Sequence, residues 1–250
     1  MKWWIFVLSM IGSGIPEAGE LGVMSYNIHH GEGVDGKMGL ERIAKVIEAE
    51  KPDVVALQEV DQGCGRSGGV EQMEWLAKRL GMEGRFGKFM DFDGGEYGLA
   101  VLSKLPVKGV EVHRLPAGGE PRVALEVVLE SGGGEVSVVG VHFDWVDDDA
   151  KRFAQATKLV ERLAGRERPV VVVGDFNDVP GSRTIDLFAE RGWENVVKKG
   201  EVVKTWPAGK PRVEIDFVMV RGGDPGEARV VDERVASDHR PVVATVKIGG

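Results

Sequence analysis

The stretch VVVVGDFNDVP, Val170–Pro180, decides the fold. Four consecutive valines are too apolar for a half-solvated strand and read as a strand buried on both faces. The run then ends in Gly174, Asp175, Phe176, Asn177 and Asp178. A buried strand delivers its last residues to the rim of its sheet, where Asp175 and Asn177, two apart, point the same way. Asp, Asn and Pro are also turn formers. Taken alone, the stretch reads equally well as a plain turn or as the edge of a reactive cleft.

Strand-like runs lie on both sides of it: Leu21–Tyr26, Val54–Leu57, Tyr97–Leu102, Val107–His113, Arg122–Leu129, Glu135–Val141, Glu214–Val220, Ala228–Val231 and Val242–Lys247. Several alternate apolar and polar residues, as half-buried strands do. The segment LESGGGEV, Leu129–Val136, reads as the loop of a hairpin. Leu40, Ile43, Ala44 and Ile47 repeat at helical spacing, and that helix stops before Pro52. Met73, Leu76, Ala77 and Leu80 make a second helix. A third follows the acid run Asp147–Asp149, which suits a helix N-terminus, and turns Phe153, Val160 and Leu163 inward. Strands outnumber helices, and hairpins mix with βα units. The expected class is α+β, with mixed sheets and helices outside them.

A chain of 250 residues suits one large domain or two small ones, and no linker or internal repeat divides it after residue 20. With 42% apolar and 29% charged residues it is globular rather than disordered. A formal net charge of −8 disfavours a nonspecific, charge-driven grip on nucleic acid. An acidic protein still binds phosphate where a metal ion supplies the positive charge. The single cysteine, Cys64, excludes an internal disulfide and a cysteine-based zinc centre. At the start, Lys2 precedes an apolar stretch from Trp3 to Ile11, followed by small residues and Pro16. That pattern predicts a signal peptide over residues 1–18, too short to span a bilayer, and an exported (periplasmic or secreted) mature chain, 19–250, without a transmembrane segment. A first strand or a loosely docked tail is the competing reading.

Polar residues recur where these strands end. Asn27 closes VMSYN, Glu59 follows VVALQ, His142 and Asp144 follow VVGV, and Asp175 and Asn177 follow the valine run. Asp216 sits inside the apolar VEIDFVMV, and Asp238 and His239 precede the last strand. A carboxylate within an apolar strand is costly unless it has a partner. Each residue has an ordinary structural reading: a turn for Asn27, a surface position for Glu59, a satisfied core histidine for His142, a backbone partner for Asp216, a cap for Asp238. One shared cleft explains all of them together.

In this order the segments resemble the endonuclease/exonuclease/phosphatase superfamily, whose fold is that of pancreatic deoxyribonuclease. GDFN (174–177) and SDHRP (237–241) carry the resemblance, supported by YNI, LQEV, YGLAVLSKLP, His142-Phe143-Asp144 and IDF. It runs from Leu21 to Lys247. The resemblance implies a four-layer α/β/β/α sandwich of two mixed β-sheets with the site at one end. It also implies a divalent-metal-dependent phosphoester hydrolase, phosphodiesterase or phosphatase. In that frame Glu59 is the main metal ligand, with Asn27 and Asp238 beside the ion. Asp175 orients and deprotonates the attacking water, and Asn177 holds that water or a phosphoryl oxygen. His142 and His239 contact the phosphate, and Asp216 orients and charges His239.

Elementary chemistry agrees. A phosphodiester is anionic and repels hydroxide until its charge is neutralised. Carboxylate and amide oxygens suit Mg²⁺ or Mn²⁺, and Ca²⁺ less well. Arg66 and Arg122 are candidates to reach the substrate phosphate, with a structural ion pair as the alternative for Arg122. Asp144 is expected either to orient His142 or a metal-bound water, or to be a solvated strand end, and Glu96 is a candidate partner for His142. Asp178 reads as turn chemistry, and His29 and His30, close behind Asn27, are candidates to line the cleft, with solvent exposure the favoured reading. The expected substrate is a small or lipid-derived phosphoester. Nucleic acid, the substrate of an extracellular nuclease, is less favoured, a non-catalytic binding module less still, and no obligate protein partner is inferred.

Overall fold

Along most strands the side chains alternate between two apolar environments, which requires material on both faces of each sheet. The structure is a computed structural model that describes residues 19–132 and 134–248. The expected signal segment, residues 1–18, lies outside them. The elements are β1 (Glu20–Asn27), α1 (Leu40–Glu50), β2 (Val54–Gln62), α2 (Gln72–Leu80), β3 (Glu83–Phe92), β4 (Gly95–Ser103), β5 (Val107–Arg114), β6 (Val123–Ser131), β7 (Gly134–His142), α3 (Ala150–Leu163), β8 (Val170–Asp175), α4 (Arg183–Glu190), β9 (Glu194–Asn195), β10 (Asp216–Arg221), β11 (Asp224–Val230) and β12 (Val242–Lys247).

Two six-stranded sheets form, in the orders β11-β12-β1-β2-β4-β3 and β5-β6-β7-β8-β10-β9. Each is mixed, with one parallel pair at its centre: β1 with β2, and β7 with β8. The other ladders are antiparallel. The parallel pairs are connected through α1 and α3, as parallel neighbours require a crossover.

Between the sheets, Leu21, Val23, Val54 and Leu99 meet Leu125, Val138, Val171 and Val173. Outside the first sheet, Tyr26, Val55 and Leu57 pack under Ile43, Ile47 and Leu76 of α1 and α2. Outside the second, Val139, Val170 and Val172 pack under Leu159, Leu163 and Phe188 of α3 and α4. The result is the four-layer α/β/β/α sandwich. It also accounts for the valine run: Val171 and Val173 face the sandwich core, while Val170 and Val172 face the helices.

Three elements depart from the sequence reading. β3 was not expected, because its inward face is partly glycine. A Cβ built on Gly87 meets Leu125, Leu99 and Val123 at 3.3 Å, so the core comes up to the backbone and no side chain marks that position of the strand. α4 is only 8 residues long; its signal is Ser182, whose side chain caps the Ile185 amide at 3.4 Å. Phe153 of α3 is half-buried rather than buried, its ring lying 4.5 Å from the Arg183 guanidinium.

Candidate active site

Strand register places the polar residues in rows. Across the second sheet His142, Asp175 and Asp216 stand opposite one another on β7, β8 and β10. Asp216 is therefore the first residue of its strand, at the rim, and not within it. In the first sheet Asn27 stands opposite Gln58, one residue before Glu59. The rows meet through Asn27, whose Nδ2 donates to Glu59 Oε1 at 3.0 Å and to Asp175 Oδ2 at 3.2 Å. One amide group thus ties the two sheets together at the site.

Glu59 reaches this meeting point because β2 bulges there. The pairing of β2 with β4 skips from Gln58–Leu99 to Val60–Gly98, and Glu59 adopts a φ of 57°. The strand on the other side of β4 skips likewise, from Lys88–Gly98 to Met90–Tyr97. Gly98 serves both irregularities. A Cβ there would lie 2.1 Å from the Gly87 carbonyl oxygen, so no larger residue fits. The glycine of YGLAVLSKLP is thus tied to the placement of Glu59.

Charge is concentrated at the other row. His239 Nδ1 lies 3.0 Å from Asp216 Oδ2, and its Nε2 lies 3.6 Å from Asp175 Oδ2. All three residues are buried. Burial by itself disfavours the imidazolium, but the Asp216 and Asp175 carboxylates outweigh it and raise His239 to about 10. For Asp175, burial, opposed by His239 and reinforced by Asp216, raises the carboxyl above the usual carboxylate range. That suits a group that must accept a proton near neutrality.

His142 is the opposite case. Its Nδ1 accepts from Arg122 Nη1 at 3.2 Å, and a guanidinium can only donate, so the ring proton is on Nε2. That nitrogen lies 3.6 Å from Asp175 Oδ2. Burial, then the charges of Arg122 and His239, hold His142 well below the ordinary histidine pKa. One histidine is held charged and the other neutral, with a carboxylate between them. Glu96 does not pair with His142; it pairs with Lys88 at 2.7 Å, and Arg122 takes the place expected for it.

Asn177 has a φ of 49°, its amide donates to Asp175 Oδ1 at 2.8 Å, and its Nδ2 donates to the Phe143 carbonyl at 3.0 Å. The GDFN turn thereby fixes both Asp175 and Asn177. Asp238 is half-buried and accepts from Trp206 Nε1 at 3.1 Å. The neighbouring Ser237 donates to the Asn27 carbonyl at 2.7 Å, which anchors the SDHRP loop to β1. Glu59, His142, Asp175, Asn177, Asp238 and His239 line one cleft of about 590 Å³, with Asn27 and Asp216 buried behind it. Trp145, Trp206, Phe92 and Met90 furnish its apolar walls.

Arg66 and Arg122 line the same cleft but are already engaged. Arg66 forms a two-pronged pair with buried Asp61, at 2.8 and 2.7 Å, and stacks on Phe92. Arg122 also pairs with Glu120 at 3.1 Å. Asp144 neither orients His142 nor meets solvent: it is fully buried and holds the Gly119 and Val146 amides at 2.6 and 3.0 Å. Asp178 accepts from its neighbour Val179 and pairs with Arg152 at 3.1 Å. His29 and His30 are half-buried and line the cleft instead of facing solvent. Their adjacency to Asn27 was the signal in the sequence.

The oxygen donors fit a hard divalent cation. Neither Glu59 nor Asp238 has an ion-pair partner among the described residues, although both face the cleft. Two carboxylates lining one cleft without a direct ion pair are the kind of donors such an ion takes. Asn27 presents its NH₂ to Glu59, because its oxygen accepts from the His29 amide at 3.1 Å. Glu59 and Asp238 are thus the better placed oxygen donors.

Comparison with known proteins bears on the family and the fold. The model described as "Endonuclease/Exonuclease/phosphatase family" matches residues 24–239. Uncharacterized protein YbhP of Escherichia coli K12 is 26% identical over 246 residues, covering 90% of this chain and 96% of that protein. The crystal structure of an endonuclease/exonuclease/phosphatase from Beutenbergia cavernae superposes with a TM-score of 0.76 at 26% identity, over 93% of this chain and 72% of that one. A mannosyl-6-phosphatase of Bacteroides thetaiotaomicron shares the fold, with a TM-score of 0.73 at 19% identity over 92% of this chain and all of that one (100%).

Proposed function

From the premise that this chain belongs to the endonuclease/exonuclease/phosphatase family, whose members are generally hydrolases of phosphoesters, we propose that it is a divalent-metal-dependent hydrolase of a small or lipid-derived phosphoester. The carrying observation is buried Asp175 held between the Nε2 atoms of His142 and His239, each at 3.6 Å, and joined to Glu59 through the Asn27 amide. Family enzymes typically use divalent metals. Glu59 and Asp238, with Asn27 behind them, would hold Mg²⁺ or Mn²⁺, which would neutralise phosphoryl charge and polarise the P–O bonds.

The chain's own residues supply the rest. Asp175 accepts a proton from water as the water oxygen bonds to phosphorus; the P–O bond to the leaving group breaks, and its alkoxide oxygen takes a proton from solvent. Asn177, fixed by the GDFN turn, positions that water or a phosphoryl oxygen. His239 donates from Nε2 to a phosphoryl oxygen, and Asp216 keeps its proton in place. His142 donates from its own Nε2 without carrying a charge. We place the enzyme outside the cytoplasm, on the residue 1–18 pattern; N-terminal sequencing of the exported protein tests this.

Asp216→Asn is expected to leave the fold intact and lower activity. It removes the charge that keeps His239 protonated, so the alkaline limb of the rate profile moves to lower pH. The sign follows from the direction of the shift. A raised histidine pKa contributes stability that is present below about 6.5 and is lost as pH rises through about 10. An unchanged profile would assign Asp216 a structural role only.

A compact substrate is favoured because both arginines of the cleft are spent on acidic neighbours, and the chain as a whole carries −8. A long polynucleotide needs a track of free basic residues and shows a steep salt dependence. The fold neighbour named as a mannosyl-6-phosphatase is in keeping with a small ester. The test is kcat/KM for metal-loaded protein on a bis-aryl phosphodiester, an aryl monoester, an inositol phosphate, sphingomyelin and DNA, across a salt series. Small esters are expected to be cleaved more efficiently than duplex DNA at physiological salt. Faster cleavage of DNA, falling steeply with salt, would make the protein a nuclease.

A further inference from the structure

The turn after β1 carries two histidines that hydrolysis leaves unused. His29 and His30 sit at φ values of 45° and 43°, with ring centroids 4.4 Å apart. Gln72 Nε2 donates to the His30 carbonyl at 2.6 Å and fixes the turn from α2. One donor atom from each of His29, His30 and Glu59 lies within 4.8 Å of the other two.

Each ring has one nitrogen engaged and the other left over. His29 Nδ1 lies 3.2 Å from the Glu32 carbonyl, which only accepts, so the proton is on Nδ1 and Nε2 keeps its lone pair. His30 Nε2 lies 3.4 Å from the Glu32 carboxylate, so it is the donor and Nδ1 keeps the lone pair. That Nδ1 is buried and has no hydrogen-bond partner among the described residues. A buried polar atom without a partner is uncommon in a folded protein. Histidines that ligate metals characteristically give their second ring N–H to a carbonyl or carboxylate. Here Glu32 supplies one of each.

We propose that His29 Nε2, His30 Nδ1 and a Glu59 carboxylate oxygen form a site for a borderline divalent transition metal ion of the Zn²⁺ class. Imidazole nitrogen selects Zn²⁺ and its neighbours, whereas Mg²⁺ demands oxygen ligands. Three protein ligands leave a coordination position open toward the cleft. The site shares Glu59 with the hydrolytic reading but does not rest on it. An ion held by the histidines withdraws Glu59 from a hard ion.

The test titrates Co²⁺ into the untagged chain after chelator stripping. The expected result is the strong visible absorption of four- or five-coordinate Co²⁺, abolished by one equivalent of Zn²⁺. His29→Gln and His30→Gln are each expected to weaken Zn²⁺ binding by about 100-fold or more, and Glu32→Gln by about tenfold. A weak, six-coordinate Co²⁺ spectrum in the wild type would overturn the site, as would strong absorption persisting in the His29→Gln/His30→Gln double variant. Imidazole ¹⁵N shifts of the wild-type protein give a readout that needs no variant: Zn²⁺ should move His29 Nε2 and His30 Nδ1, and unmoved resonances would also overturn it. Mg²⁺-supported hydrolysis by the same preparation separates the two readings. Hydrolysis without the Co²⁺ signature removes this site alone, and the signature without hydrolysis removes the catalytic reading alone.

Discussion

Asp175→Asn is expected to lower kcat by on the order of 10²–10⁴-fold while leaving metal affinity near that of the wild type. The size follows from where Asp175 sits. It is buried, its carboxyl is raised above the usual range chiefly by that burial, and Asn27, Asn177, His142 and His239 all converge on it. Asparagine keeps the volume and can still accept from the Asn177 amide, but it cannot take a proton from water. The measurement is kcat at saturating metal, with the thermal midpoint as the control for folding. Wild-type turnover in this variant would remove Asp175 as the base.

The second large effect is expected from metal removal. EDTA should abolish hydrolysis, and Mg²⁺ or Mn²⁺ should restore it, because both arginines of the cleft are already paired and none of its cations replaces the ion. Glu59→Gln should raise the metal concentration for half-maximal activity by at least about tenfold, since one hard anionic donor becomes a neutral amide. The comparison with Asp175→Asn is informative: one variant changes metal use and the other changes turnover. Hydrolysis that persists in chelator-treated, metal-free protein would end the metal-dependent reading.

The α+β class with helices outside was legible from the strand runs and from the helical spacing of α1, α2 and α3, whereas the four-layer sandwich came with the resemblance carried by GDFN and SDHRP. β3 escaped because Gly87 occupies a core-facing position with no side chain to reveal it. At the site, GDFN and SDHRP marked their residues because acids and histidines at strand ends are expensive unless used. The partner of His142 was not legible. Arg122 directly precedes the neighbouring strand β6, 20 residues away in sequence, and only register brings its guanidinium to the ring. Adjacency to Asn27 pointed to His29 and His30 as cleft residues, but the turn at positive φ that aims them inward was not legible.

The ladder joining β1 to β12 has a bearing on the order in which the protein can be made. Glu20 pairs with Lys247 and Ser25 with Val242, so the first described strand is hydrogen-bonded along its length to the last one. On a ribosome, β1 emerges first and waits for nearly the whole chain before that edge is covered. Asp238 and His239 arrive just ahead of β12, so the cleft too is completed only once the last described strand is at hand. Contacts so distant in sequence close slowly and late. A nascent chain of this design keeps that edge of β1 uncovered until β12 has been made, so this sheet cannot close strand by strand as the chain grows.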